Sequence, residues 1–138
     1  MTCPRAFIVL ALLLSGTAQA QQSSSFDGTW LVLFACPAAD DGTRGYTLRY
    51  LATVQNGVLH GETGTKGQEG SLSLDGTILP DGNALLLATG LTADPAYSVG
   101  RARPLSPVKY HVQARFQGTR GTGQRIELRR CEAVFTRQ

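Results

Sequence analysis

A chain of 138 residues, 42% of them hydrophobic, has room for one domain with a modest core, which excludes a multidomain architecture. The net charge of +3 is small, so overall charge alone does not indicate a class of partner.

Residues 1–20 have the pattern of a secretory signal peptide. Arg5 precedes an apolar run, and small residues follow as far as Ala18-Gln19-Ala20, which is typical of a cleavage site. The run is too short to span a bilayer, which needs about 20 residues; a retained N-terminal anchor is the alternative. We therefore expect an exported protein, periplasmic or extracellular, with no membrane span after cleavage. Its predicted parts are the signal peptide, a short polar N-terminal arm (21–28) and one folded domain (29–138).

Turn signals recur at short intervals along the rest of the chain. Asp-Gly or Asn-Gly pairs lie at 27–28, 41–42, 56–57, 75–76 and 81–82. Between them apolar and polar residues alternate, as in YHVQARFQ, whose Tyr110, Val112, Ala114 and Phe116 share one face. The pattern predicts an all-β domain. Its eight predicted strands lie near residues 29–36, 45–55, 58–63, 70–79, 83–90, 96–102, 108–118 and 123–137.

Two cysteines remain after cleavage, Cys36 in the first predicted strand and Cys131 in the last. An even pair in an exported protein predicts a disulfide; two free thiols on a metal are the alternative, without close Cys/His spacing to support them. Bonded cysteines have Cα atoms within about 7 Å, so the first and last strands must be neighbours. The sequence therefore predicts a single antiparallel up-and-down eight-stranded barrel, with its first and last strands linked by a disulfide.

The last predicted strand contains a conflict of parity. Ile126 and Leu128 are apolar at even positions, whereas Ala133 and Phe135 are apolar at odd ones. A regular strand cannot bury both sets on one face. We therefore expect a bulge or tight bend near Arg129–Arg130.

The stretch FDGTW at 26–30 resembles the opening of the calycin barrels, the lipocalins and avidins, whose Gly-x-Trp motif matches Gly28 and Trp30. The resemblance implies that Trp30 closes one barrel end beneath an arginine from the C-terminal strands. The arginines available for that role are Arg129, Arg130 and Arg137. Biotin is not implied, because one Trp cannot build the aromatic box of an avidin. The stretches GYTLRYLATVQNGVLHGETG, DPAYSVGRARPLSPVKYHVQARF and GQRIELRRCEAVF resemble small exported bacterial proteins of unknown function.

No set of residues converges on catalysis. The chain has two histidines, His60 and His111, and neither a G-x-S-x-G motif nor an evident Ser–His–Asp set. His60 shares strand parity with Glu62, and a metal or proton-transfer site there is the alternative to solvated outward side chains. The Gly-rich stretch at 118–125 lacks the G-K-[ST] ending of a phosphate loop, so we interpret it as a hairpin turn. We expect a non-catalytic protein with no cofactor and no metal; an enzyme without a recognisable catalytic set is the third alternative after the two modes of binding below.

Charge is uneven along the chain. Residues 21–98 hold three basic and eight acidic residues, and residues 99–138 hold nine basic and two acidic ones. This asymmetry predicts either an anion-binding face or acidic and basic strands that lie side by side. The basic, Pro-containing loop GRARPLSPVK and the strand after it supply the candidate anion contacts, which are Arg101, Arg103, Lys109 and Arg115.

We expect a monomeric binding module, with nucleic acid excluded as a natural partner by export. In one alternative, a small apolar or anionic ligand enters the barrel mouth, gated by the 91–107 loops. In the other, the surface engages an envelope glycan or another protein. That mode resembles the periplasmic inhibitors of secreted metalloproteases, which are small Trp-started, disulfide-containing barrels that act through an N-terminal arm, here QQSSS at 21–25.

The barrel interior discriminates between these alternatives. An eight-stranded barrel is just wide enough for its own side chains or for one small ligand. A filled interior would therefore rule out the small-ligand alternative. The side chains expected to fill it are Trp30, Phe34, Tyr50, Leu74, Leu87, Phe116 and Phe135.

Overall fold

The structure is a computed structural model that describes residues 24–138. The predicted signal peptide (1–20) and residues 21–23 of the predicted arm lie outside the described residues. Each strand pairs antiparallel with the next along the chain, and the last pairs with the first to close a barrel. The strands are β1 (Gly28–Cys36), β2 (Tyr46–Gln55), β3 (Val58–Thr63), β4 (Leu72–Thr77), β5 (Asn83–Leu91), β6 (Pro107–Gln117), β7 (Arg120–Arg125) and β8 (Glu132–Arg137). The predicted all-β, up-and-down eight-stranded barrel is confirmed.

The predicted sixth strand, residues 96–102, is wrong. The chain there forms two 3-10 turns, Pro95–Tyr97 and Val99–Arg101. The Asp94 carboxylate caps the first turn, and Gly100 has a φ of 66°, which an extended strand cannot include. Residues 24–138 contain no helix that is long and apolar enough to cross a membrane.

The predicted last strand, residues 123–137, is in fact two strands, β7 and β8, so the count of eight is kept. The loop between them, 126–131, contains the bend expected near Arg129–Arg130. Ile126 and Leu128 lie in this loop and are 54% and 66% exposed. The parity conflict disappears because these two residues are not part of a strand.

Alternate loops lie at opposite ends of the barrel, since all neighbouring strands are antiparallel. One end, which we call the open mouth, carries the loops 37–45, 64–71, 92–106 and 126–131. The other, the closed end, carries residues 24–27, the turns 56–57, 78–82 and 118–119, and Gln138.

Large side chains fill the barrel from the closed end to its centre. Six of the seven predicted interior side chains are buried, namely Trp30, Phe34, Tyr50, Leu74, Phe116 and Phe135. Leu87 is on the outer face instead, because Leu86 and its alternate neighbours take the inward positions of β5. The centre of the barrel therefore has no room for a ligand, which rules out the small-ligand alternative for the barrel interior and leaves only the space above the filled centre, towards the open mouth.

Trp30 lies at the closed end, and Arg137 is the arginine beside it. The two residues are directly paired across β1 and β8. The indole Nε1 of Trp30 donates to the carbonyl of Phe26 at 2.8 Å, and the Arg137 guanidinium donates to two main-chain carbonyls just before β1. Because Phe26 is buried in the core, the chain from this residue onwards belongs to the barrel end rather than to the predicted arm (21–28).

The Cys36–Cys131 disulfide joins residues 95 positions apart and confirms the predicted pairing. Cys36 is the last residue of β1, and Cys131 directly precedes β8. The disulfide therefore extends the β1–β8 pairing at the open mouth and anchors one end of the 126–131 loop.

Candidate functional site

A cavity of about 540 Å³, which we call the mouth cavity, occupies the open mouth. The ends of β2, β4, β5, β6 and β7 form its wall, and the 92–106 loop covers it. Most of its lining is apolar or aromatic: Tyr46, Leu48, Leu72, Leu91, Tyr97, Val99, Ala102, Pro107, Val108, Tyr110 and Leu128. This size and lining are typical of small-molecule sites, which span roughly 300–1,000 Å³.

The cavity follows from how the strands meet the mouth. In β2, β4 and β6 the inward-facing residues nearest the open mouth are half-buried, whereas the next inward residues along each strand are buried. The half-buried positions are Tyr46, Leu48, Leu72 and Val108, which pack against the core from the mouth side. The apolar alternation of the strands therefore continues past the filled centre and forms an apolar wall.

Arg125 lies at the floor of the mouth cavity, at the end of β7. It is 6% exposed, and its guanidinium carbon lies 3.7 Å from the centroid of the Tyr110 ring. Its Nε donates to the Glu127 carbonyl at 2.9 Å. Burial lowers the pKa of Arg125, yet a guanidinium remains protonated in proteins.

Arg129 joins the loops around the cavity. It is 8% exposed, and its Nη1 donates to the carbonyls of Arg44 and Tyr97, both at 3.3 Å. Its Nη2 donates to the Pro37 carbonyl and also to that of Arg44. Its Nε is buried and has no partner among residues 24–138. One side chain thus holds the 37–45 and 92–106 loops to the 126–131 loop.

Further hydrogen bonds hold the 92–106 loop, which covers the cavity, and the 126–131 loop in place. Thr92 N–H donates to the Ser106 carbonyl, and Leu105 N–H donates to the Thr92 carbonyl, both at 2.9 Å. The Glu127 carboxylate accepts from the His111 main-chain N–H at 2.6 Å, and its other oxygen lies 2.5 Å from the His111 ring. These bonds lower the pKa of Glu127 and keep its carboxylate on His111.

The candidate anion contacts do not come together. Lys109 lines the mouth cavity at its rim. Arg101 and Arg103 are exposed on the 92–106 loop that covers the cavity. Arg101 donates there to the Gly42 carbonyl at 3.4 Å. Arg115 lies on the outer face towards the closed end, 3.5 Å from the Asn83 side-chain oxygen. Arg130 is exposed beside the disulfide. The basic residues of 99–138 are thus spread over the mouth, the outer face and the closed end.

Sequence reasoning missed Arg125 as a site residue. The signal is an alternation, Gly121-x-Gly123-x-Arg125, which points three residues of one strand inward. Its glycines are needed for space, because a Cβ at Gly121 would lie 2.8 Å from the Phe116 ring. The interpretation of 118–125 as a turn hides that alternation.

The two histidines lie away from the mouth cavity. His60 Nδ1 contacts the Asp75 carboxylate, and its Nε2 lies 3.3 Å from Glu62 on the outer face. Hydrogen bonding to Asp75, its largest influence, raises the pKa of His60. Over residues 24–138, no cluster of three His, Cys, Asp or Glu residues has the arrangement of a metal site.

No protein-family model, no curated protein and no solved structure matches the chain. The likeness to calycin barrels therefore stays a prediction from the Gly28–Trp30 motif.

Proposed function

We propose that this protein is an exported, non-catalytic binding module that holds a small, largely apolar ligand in the mouth cavity. The observation that carries the proposal is the cavity itself, about 540 Å³ of space with an apolar and aromatic wall at the open end of a filled barrel. Burial of apolar ligand surface against such a wall supplies roughly 25 cal/mol per Å² of favourable free energy.

The polar groups of the cavity favour binding over proton transfer. Arg125 stays protonated, and burial raises the pKa of the Tyr110 hydroxyl, so neither group exchanges a proton easily near neutral pH. The cavity lining drawn from residues 24–138 includes no histidine or cysteine. The site thus offers apolar surface, hydroxyl groups and the charged side chains of Arg125, Arg129, Lys109 and Asp94.

The proposal is tested with an apolar fluorescent probe, anilinonaphthalene sulfonate, and two matched variants of β2. Leu48 lines the mouth cavity, whereas Leu51, three residues on, is 58% exposed on the outer face. We expect Leu48→Trp to fill the cavity and weaken probe binding at least tenfold, and Leu51→Trp to bind as the unmodified protein does. Equal probe binding by all three proteins, each with an unchanged circular dichroism spectrum, would contradict the proposal.

A further inference from the structure

We propose that the ligand of the mouth cavity carries a single carboxylate, bound by Arg125 at the cavity floor. This inference rests on the proposed function, because it assigns the chemistry of the ligand that the cavity holds. It depends on three observations: the buried charge of Arg125, the two Nη groups that have no acceptor in residues 24–138, and the polar groups around it.

Arg125 forms no salt bridge within residues 24–138, although the Glu127 carboxylate attracts its charge. The ion pairs among residues 24–138 all involve histidine, so no carboxylate of this part of the protein pairs with Arg125. The nearby Glu127 carboxylate is hydrogen bonded to His111. Buried charges in proteins are normally paired, because leaving water without a partner is costly. An anionic ligand would supply the missing partner.

The guanidinium of Arg125 is oriented for a planar acceptor. Its Nε donates to the Glu127 carbonyl, and the Tyr110 ring lies against its face. Both contacts fix the plane of the group, while Nη1 and Nη2 donate to no residue in 24–138. Two parallel donors on one edge match the two oxygens of a carboxylate. A sulfate or phosphate has more oxygens than Nη1 and Nη2 can satisfy and needs further donors, whereas a carboxylate needs only these two.

Neighbouring groups complete the site. The hydroxyls of Tyr46 and Tyr110 make no hydrogen bond within the described residues, and both residues line the mouth cavity. Both hydroxyls are therefore available as donors in the wall of the cavity. Arg129 adds a second buried positive charge, and its Nη groups are already committed to loop carbonyls. Direct recognition of the anion at the floor therefore falls to Arg125, with Arg129 and the rim residue Lys109 as longer-range contributions.

The cavity sets the size of the ligand. Its volume of about 540 Å³ is roughly 18 times the 30 Å³ that a water molecule occupies in the liquid. A ligand of roughly a dozen non-hydrogen atoms suits that space. Decanoate is a suitable probe, and decanol, decylamine and decyl sulfate are matched probes that differ from it only in the head group.

The test is isothermal titration of the disulfide-bonded protein with these four probes below their micelle concentrations. We expect decanoate to bind ten- to one-hundredfold more tightly than decanol, the usual effect of hydrogen bonds to a charged group. Decylamine should bind most weakly, because its charge repels that of Arg125. Arg125→Met should lose most of the preference for decanoate over decanol, because it keeps an apolar stem and removes the charge that binds the carboxylate directly, while Arg129 and Lys109 remain. Arg115→Gln, on the outer face, serves as the matched control and should keep the preference for decanoate.

The outcomes separate this inference from the proposed function. Equal binding of decanol and decanoate by the unmodified protein would overturn the carboxylate and leave the apolar binding site in place. Tighter binding of decyl sulfate than of decanoate would likewise overturn it. Failure of every probe, together with failure of the fluorescent dye, would overturn both. The comparison of head groups on the unmodified protein decides the question even if Arg125→Met does not fold.

Discussion

The indole of Trp30 has two roles at the closed end of the barrel. It fills the interior against Phe116, whose ring centroid lies 5.2 Å away in an edge-to-face arrangement. It also donates a hydrogen bond to the Phe26 carbonyl, which attaches the residues before β1 to the barrel. Only a large aromatic side chain with an N–H group can do both.

We predict that Trp30→Phe lowers the free energy of unfolding by about 2 kcal/mol. The smaller ring leaves a cavity at a fully buried position, and the Phe26 carbonyl loses its hydrogen bond. Urea denaturation followed by circular dichroism measures the change without relying on tryptophan fluorescence. Leu51→Ala, at an exposed position on the neighbouring strand, is the control and should change stability by less than about 0.5 kcal/mol. Equal stabilities of Trp30→Phe and the unmodified protein would exclude this structural role.

At the level of single residues, alternation in the sequence predicts the inward positions of β1, β2 and β6. It fails at Leu87 because β5 is apolar on both faces, so that hydrophobicity alone does not distinguish inside from outside. It fails at Arg125 because a charged residue after two glycines does not look like an interior position. The inward direction of that guanidinium is set by the β6–β7 and β7–β8 pairings, which short-range patterns do not contain.

At the level of elements, the strands are more predictable than the loops that form the site. Hairpins such as β2–β3 follow from local turn signals, for which Asn56 and Gly57 supply the required positive φ. The 92–106 cover and the 126–131 loop owe their shape to distant groups, above all the Arg129 contacts with loop carbonyls. This dependence on long-range contacts explains why the sequence wrongly predicts a strand at 96–102 and gives a ligand at the barrel mouth only as one of two alternatives.

The Cys36–Cys131 disulfide should contribute about 4 kcal/mol to the free energy of unfolding. It closes a loop across 95 positions. Loop entropy gives roughly 4–5 kcal/mol for a loop of that length, and removal of native disulfides from small secreted domains typically costs about 2–5 kcal/mol. Cys36→Ala combined with Cys131→Ala should therefore unfold at a much lower urea concentration. Dithiothreitol should lower the stability of the unmodified protein to that of the variant and leave the variant unchanged. Equal midpoints for the two oxidised proteins would contradict the prediction.

At the level of the whole molecule, strands that are consecutive in the sequence are adjacent in the barrel. The acidic β3 and β4 therefore lie across the barrel from β7 and β8. The basic residues of the last third nevertheless do not share a surface, because Arg125 and Arg129 turn into the mouth and Arg137 binds at the closed end. This distribution gives less support to a glycan-binding face than to a site inside the mouth.

Because the barrel is closed, the chain can begin and end between other strands and still form the same strand pairs. Every connection is between neighbouring strands. The two ends of the described chain are close, because the Arg137 side chain contacts the Ser25 carbonyl at 3.1 Å. A linker of about six Gly and Ser residues, which spans up to roughly 20 Å, can therefore join Gln138 to Ser24. A permutant with new ends between Lys66 and Gly67, in an exposed loop, keeps every strand pair. We predict a cooperative urea transition within about 2 kcal/mol of that of residues 24–138 in their natural order, because exposed loops tolerate new termini. New ends between Val112 and Gln113 should abolish that transition, because they divide β6 where it pairs with both β5 and β7. A non-cooperative transition in the loop permutant, or a cooperative one in the β6 permutant, would show that stability does not depend on intact strand pairing around the barrel.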